Sequence, residues 1–144
     1  MAKRKLDRPT QFAALPWRLT ETGIREVMLL TSRETRRWVI PKGWPVPNLT
    51  PCNSAAHEAR EEGGLIGQIG ERPIGQFHYD KRLSDGSSMH CAVEVFALEV
   101  ERQMKSWLEK DQRRTRWFAV AEAADAVHEP ELRALIANLP RSLK

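Results

Sequence analysis

Residues 50–65 carry the strongest local folding instruction in the chain. Thr50-Pro51 is a helix start, with threonine as N-cap and proline at a position whose amide has no helical partner anyway. Gly63-Gly64 is a stop, because glycine adopts the left-handed geometry of a C-cap at little cost. The spacing predicts a helix running to Glu62 or Gly63, with Cys52, Ala55, Ala56 and Ala59 forming a small face suited to close packing on a sheet. Another face collects charge. At the helical repeat, Glu61 lies about −60° and Glu62 about +40° from Glu58, so three carboxylates share an arc of about 100°. Like charges that close repel by roughly a few tenths of a kcal/mol per pair unless a cation sits among them. Magnesium or manganese, hard ions that take oxygen ligands, would answer that need. A solvated acidic face is the plainer reading of an isolated run of this kind.

The remaining elements follow from apolar runs and turn residues. Gln11 to Arg18, with Trp17, reads as a first strand, and Thr20-Glu21-Thr22-Gly23 as a turn. Glu26 to Thr31 is a buried strand, Ser32 to Arg37 a polar turn, and Trp38 to Ile40 a short strand. Pro41, Pro45 and Pro47 then stiffen a loop around Gly43, since each fixes φ and removes a backbone donor. Ile74 to Tyr79 and Cys91 to Val100 are strands joined by the hairpin loop Lys81 to Ser88. Arg116-Trp117-Phe118 is a short strand. Ala121 to Val127 and Glu131 to Leu139 are helices separated by Glu129-Pro130. Strands on both sides of a central helix, closed by terminal helices, give an α/β sandwich.

At 144 residues and 41% hydrophobic composition, the chain fits one domain with a real core. No run approaches the roughly 20 apolar residues that span a bilayer. The charged N-terminus lacks the apolar segment of a secretory signal. Cys52 and Cys91 match no metal spacing and are expected to be reduced thiols, which points to a cytoplasmic protein. The net charge of +4 is misleading as a sign of nucleic-acid binding. Residues 1–8 (Lys3, Arg4, Lys5 and Arg8 against Asp7) hold +3 of it, leaving 19 basic and 18 acidic residues elsewhere. We therefore expect a basic, disordered tail over 1–8 and a balanced domain over 9–144. Such a domain has no global field for gripping a phosphate backbone.

Together, Gly43, Glu58, Ala59, Glu61, Glu62, Gly64 and Leu65 resemble the Nudix box, G-x5-E-x7-R-E-U-x-E-E-x-G-U, where U is bulky and apolar. Two positions depart from the pattern: Leu49 stands where the first glutamate belongs, and His57 where the arginine belongs. The resemblance covers about residues 11–139. It implies the Nudix fold, an α/β/α sandwich around a central mixed sheet. It also implies a Mg2+- or Mn2+-dependent site, with Glu61 and Glu62 as first ligands and Glu58 as ligand or general base. The backbone carbonyl of Lys42 would join them. His57, one turn before Glu61, would serve as a pH-sensitive partner for the carboxylates. Trp38 to Gly43, Arg113 to Phe118 and His128 to Leu132 are most similar to the diphosphoinositol polyphosphate phosphohydrolase branch. In that branch a Ser-Arg pair contacts phosphate, and Ser32-Arg33 match it here. Arg33, Arg37, Lys42, Lys81 and Arg82, with Gly43, are the expected phosphate-binding set. Trp44 would stack on a base or cap its loop; Asp85 and Glu94 are additional ligand candidates.

The leading expectation is therefore hydrolysis of a phosphoanhydride. Its small-molecule substrate would be a nucleoside diphosphate linked to another group, a dinucleoside polyphosphate or a diphosphoinositol-like polyphosphate. A Nudix-fold module that binds a phosphorylated metabolite without turnover is the alternative, and Leu49 and His57 are its evidence. An RNA 5′-end pyrophosphohydrolase, with the tail as its handle, is a third reading that the near-neutral core opposes. Monomer and homodimer both remain open.

Overall fold

Strands with continuous apolar runs, rather than alternating ones, require a sheet covered on both faces. β1 (Thr10–Leu19), β2 (Arg25–Thr31) and β7 (Ser88–Gln103) are strands of this kind. The computed structural model describes residues 9–139 and 143. Within them, eight strands form one mixed sheet. Ala13, Leu15 and Trp17 of β1 share one face with Val27 and Leu29 of β2 and with Val93, Val95 and Ala97 of β7. Ala123 and Ala124 of α2 (Val120–Ala126) and Leu132 and Ile136 of α3 (Pro130–Ala137) cover that face. The intervening residues Ala14, Met28, Phe96 and Leu98 pack on the other face, against Ala55 and Ala59 of α1 (Pro51–Gly63). The expected α/β/α sandwich is the architecture found.

β1 lies parallel to β7, with Thr10 to Trp17 opposite Ala92 to Glu99. On its other side β1 changes partner. Trp17 to Leu19 pair with β2, and Phe12 and Ala13 pair with β4 (Lys42–Gly43). β2 also carries β3 (Trp38–Val39) and β8 (Thr115–Ala119), both antiparallel. β7 is long enough to take two antiparallel neighbours on its far edge, β6 (Gly75–Arg82) and β5 (Leu65–Ile69).

Several sequence expectations shift. The Pro-stiffened loop around Gly43 contains β4, a strand too short to show any pattern. β5 escapes sequence reading because Gly67 interrupts five residues of apolar character. The β6–β7 hairpin pairs to Arg82↔Ser88, so Lys81 and Arg82 belong to a strand and not to the expected loop. α2 and α3 begin one residue earlier than expected, at Val120 and Pro130. The basic tail, residues 1–8, lies outside the described residues. Among those described, no helix is long and apolar enough to cross a membrane, and both cysteines are free.

α1 forms as its ends dictate. Thr50 Oγ1 accepts from the Asn53 amide at 3.3 Å, and Gly64 caps the C-terminus with φ 68°. Residues 103–114 then close over that end. The Met104 amide donates to the Gly64 carbonyl (2.8 Å), Gln103 Nε2 to that of Gly63 (2.9 Å) and the Glu109 amide to that of Glu61 (3.0 Å). These bonds satisfy carbonyls that a helix end otherwise leaves open. The far end of the segment is tied to β2: Thr31 donates its amide to the Arg114 carbonyl and accepts the Arg114 amide on Oγ1. A Cβ on Gly64 would run into the Trp107 indole. Gly64→Ala therefore meets both a left-handed backbone and a collision, and should cost about 2 kcal/mol or more, measured by urea unfolding.

Candidate active site

The small face of α1 determines how near its acidic face comes to the sheet. Ala55 and Ala59 are fully buried, and Ser54 Oγ accepts the Val46 amide at 3.0 Å, so the helix lies hard against the loop around β4. At Gly43 the fit admits no side chain. A Cβ there would sit 2.5 Å from the Glu58 carboxyl carbon and 2.7 Å from each of its oxygens.

Glu58 and Glu62 converge beneath β4 and are hydrogen-bonded to each other. The Lys42 amide points at Glu62 Oε1 from 3.4 Å, and Arg113 Nη2 lies 3.8 Å from the same oxygen. Burial pushes Glu62 up to about 8 against the pull of the Arg113 guanidinium, and the bond to Glu58 and that residue's charge add to the rise. Burial also raises Glu58, while the hydrogen bond from Glu62 holds it down. Burial therefore displaces both carboxyls upward from their ordinary range. Glu61 is not part of the pair. It is about one-third exposed, and its Oε2 lies 3.1 Å from His57 Nε2.

The cationic set predicted from sequence divides in space. β4 places Gly43 opposite Phe12 and Lys42 opposite Ala13, so the Lys42 side chain leaves on the face away from α1. Its ammonium sits 4.6 Å from the centre of the Tyr79 ring. Burial lowers the Lys42 pKa, Glu62 and Glu129 oppose that, and nearby Lys81 adds to it. Tyr79 is itself raised by burial and donates to Gln11 Oε1 at 2.6 Å. Ser32 caps the β2–β3 turn by accepting the Thr35 amide, and Arg33 reaches across to Gln112 Oε1 at 3.0 Å. Arg37 is exposed and bonds Thr35; Arg82 is exposed at the end of β6. Asp85 is occupied with Ser87 at the hairpin tip, Glu94 is half-buried on β7, and Trp44 and Leu49 are each 41% exposed.

Sequence reasoning names neither Arg113 nor Glu109 as a site residue. Arg113 is about nine-tenths buried, donates Nε to Glu109 Oε1 (2.8 Å) and Nη1 to the Thr31 carbonyl (3.2 Å), and faces Glu62 with its remaining nitrogen. The signal for it lies in the fold, because the segment carrying it has no periodicity.

Divalent metal is the group the expected chemistry requires. Among the described residues, no set of three or more His, Cys, Asp or Glu side chains is gathered as a metal cage. The Glu58–Glu62 pair nonetheless has suitable donor chemistry: two carboxyl groups packed together, whose repulsion a hard cation would offset. Glu61, whose Oε2 meets His57, is the third carboxylate on the same helix.

A carboxyl whose pKa is higher folded than unfolded stabilises the fold below the unfolded value, and the contribution is lost as pH rises through the folded one. For Glu62 that window runs from 4.5 to about 8. Metal-free protein should lose stability across it, and Glu62→Gln, which cannot ionise, should lose less. Melting temperatures of both proteins between about pH 5 and 8.5 measure the difference; parallel curves would show that Glu62 does not titrate there.

No family model matches the chain. Nudix hydrolase 13, mitochondrial, of Arabidopsis thaliana is 31% identical over 105 residues, which are 69% of this chain and 52% of that protein. Diphosphoinositol polyphosphate phosphohydrolase 3-alpha of Mus musculus is 30% identical over 110 residues, 73% of this chain and 63% of that protein. The chain thus spans about half the length of the first of these relatives and under two thirds of the second. In structure, the NUDIX domain of Shewanella oneidensis NrtR, solved with ADP-ribose, superposes with a TM-score of 0.71 at 11% identity, covering 99% of this chain and 98% of that one. The mixed sheet between α1 and the α2–α3 pair is the Nudix fold, and the chain belongs to the Nudix hydrolase superfamily.

Proposed function

We propose that the protein is a metal-dependent pyrophosphohydrolase. Its substrate is a small phosphorylated molecule: a nucleoside diphosphate linked to another group, a dinucleoside polyphosphate or a diphosphoinositol-like polyphosphate. The observation that carries this reading is the convergence of Glu58, pressed against Gly43 of β4, with the buried Glu62 beside it. Buried carboxylates with displaced proton affinities, fixed on a helix, are what acid–base chemistry on an anhydride needs.

Glu58 and Glu62 would hold Mg2+ or Mn2+, with the Lys42 carbonyl and Glu61 as further oxygen donors. When bound, the metal offsets phosphate charge and lowers the pKa of water. Glu58 is assigned as metal ligand or general base. Ser32, Arg33, Arg37, Lys42, Gly43, Lys81 and Arg82 are the groups assigned to phosphate, with Lys42 and Lys81 on the Tyr79 side of the sheet, away from the glutamates. The long reach of these cations suits an extended, multiply charged ligand. We place the protein in the cytoplasm from its unpaired cysteines and leave monomer and homodimer as equal alternatives.

A second reading rests on a specific observation. Glu61 is engaged by His57, so the carboxylate set is divided, as suits a domain that binds a phosphorylated metabolite without cleaving it. The solved relative in complex with ADP-ribose supplies a ligand to test.

Phosphate or nucleotide release should be measured from a panel of diphosphate compounds, with Mg2+ or Mn2+ and with chelator. We expect metal-dependent turnover, and losses of about 100-fold or more in kcat/KM for Glu58→Gln and for Glu62→Gln. Silence across the panel, with ADP-ribose still raising the melting temperature, would favour the binding module.

A further inference from the structure

The carboxylate row of α1 is held at its two ends by different side chains from different parts of the chain. His57, on the helix itself, meets Glu61. Arg113, from the segment that caps the helix, meets Glu62. We propose that Arg113 is a positioning residue for the metal-binding carboxylates, fixing Glu62 through a buried guanidinium braced by Glu109 and the Thr31 carbonyl. The inference rests on the reading of Glu58 and Glu62 as metal ligands.

Three features of the geometry support it. First, Arg113 is only 10% exposed, and two of its nitrogens are committed to Glu109 and Thr31, so the nitrogen facing Glu62 has little freedom. A planar guanidinium bonded at two points carries its third point in a defined direction, which a flexible ammonium does not. Second, the segment bearing Arg113 is registered on α1 by three hydrogen bonds to the carbonyls of Glu61, Gly63 and Gly64. Arg113 therefore moves with the helix end whose carboxylate it faces. Third, His57 cannot stand in for it. Position 57 lies about 140° around the helix from Glu62, while Glu61 is only one turn away on the same side.

Positioning and simple charge make opposite predictions for metal affinity. A cation close to a metal site repels the metal, so its removal tightens binding if charge is its whole effect. A group that orients a ligand weakens binding when removed, by about 10- to 100-fold in affinity or activity.

The test is Mn2+ binding, followed by electron paramagnetic resonance of the free ion, together with kcat and KM on the best compound of the panel. For Arg113→Ala we expect Mn2+ affinity and kcat each to fall by about tenfold or more, with KM changing by less than about threefold. Adding His57→Arg to Arg113→Ala should restore neither. If Arg113→Ala does not fold, Arg113→Lys decides the question, and it should still bind Mn2+ more weakly than wild type. Unchanged or tighter Mn2+ binding, rescue by His57→Arg, or a wild-type protein that binds no Mn2+ would each overturn the proposal. Wild-type turnover with Mn2+ binding indifferent to Arg113 would leave the hydrolase standing and remove this role. Arg113-dependent Mn2+ binding in a protein without turnover would do the reverse.

Discussion

The approach of α1 to β4 is the contact on which the candidate site depends. It is set by what is missing: Gly43 has no side chain, and Ala55 and Ala59 have the smallest ones available to a helix face. With the helix lying so close, Glu58 and Glu62 are drawn out of water and into each other. Two adjacent carboxyls in that setting cannot both be charged without a counter-ion. The structure answers with a raised proton affinity at both carboxyls, one backbone amide and one buried arginine. A polar cluster of this kind is kept at a cost to stability, which is a common mark of a site retained for chemistry.

The segment after β7 makes that cost tolerable. It closes the C-terminal end of α1 with backbone and side-chain donors while its own far end is stitched to Thr31. Glu62 therefore sits at the meeting point of three elements that are distant along the chain: β4, the last turn of α1 and the residues leading into β8.

Much of this was legible in the sequence where physics acts locally. Thr50-Pro51 and Gly63-Gly64 mark α1 at both ends because capping needs only neighbours. The apolar runs of β1, β2 and β7 declare a sheet buried on both faces. What escaped is non-local. β4 exists only because β1 lies beside it, and β5 only because β7 overruns its pairing with β6. Lys42 adjoins the glutamates through its backbone, but strand alternation sends its side chain to the opposite face, over Tyr79. Arg113 is one of many arginines in the sequence, and nothing in its neighbourhood distinguishes it from Arg114 or Arg116. Its partner is fixed by tertiary contact alone.

The strand order has a consequence for how the protein comes to be. Of the eight strands described, β1 is made first, yet it occupies the middle of the sheet and pairs in parallel with β7, so that Thr10 must wait for Ala92. Until then, one edge of β1 lacks its partner, and the face later covered by α2 and α3 waits longer still. Parallel pairing over such a separation closes a long loop before any contact repays it, which slows folding and prolongs exposure to aggregation. On a ribosome the interval is set by translation of the intervening residues, which include α1. The helix bearing the carboxylates is thus complete before the sheet it packs on. Its site becomes a site only when the last third of the chain arrives.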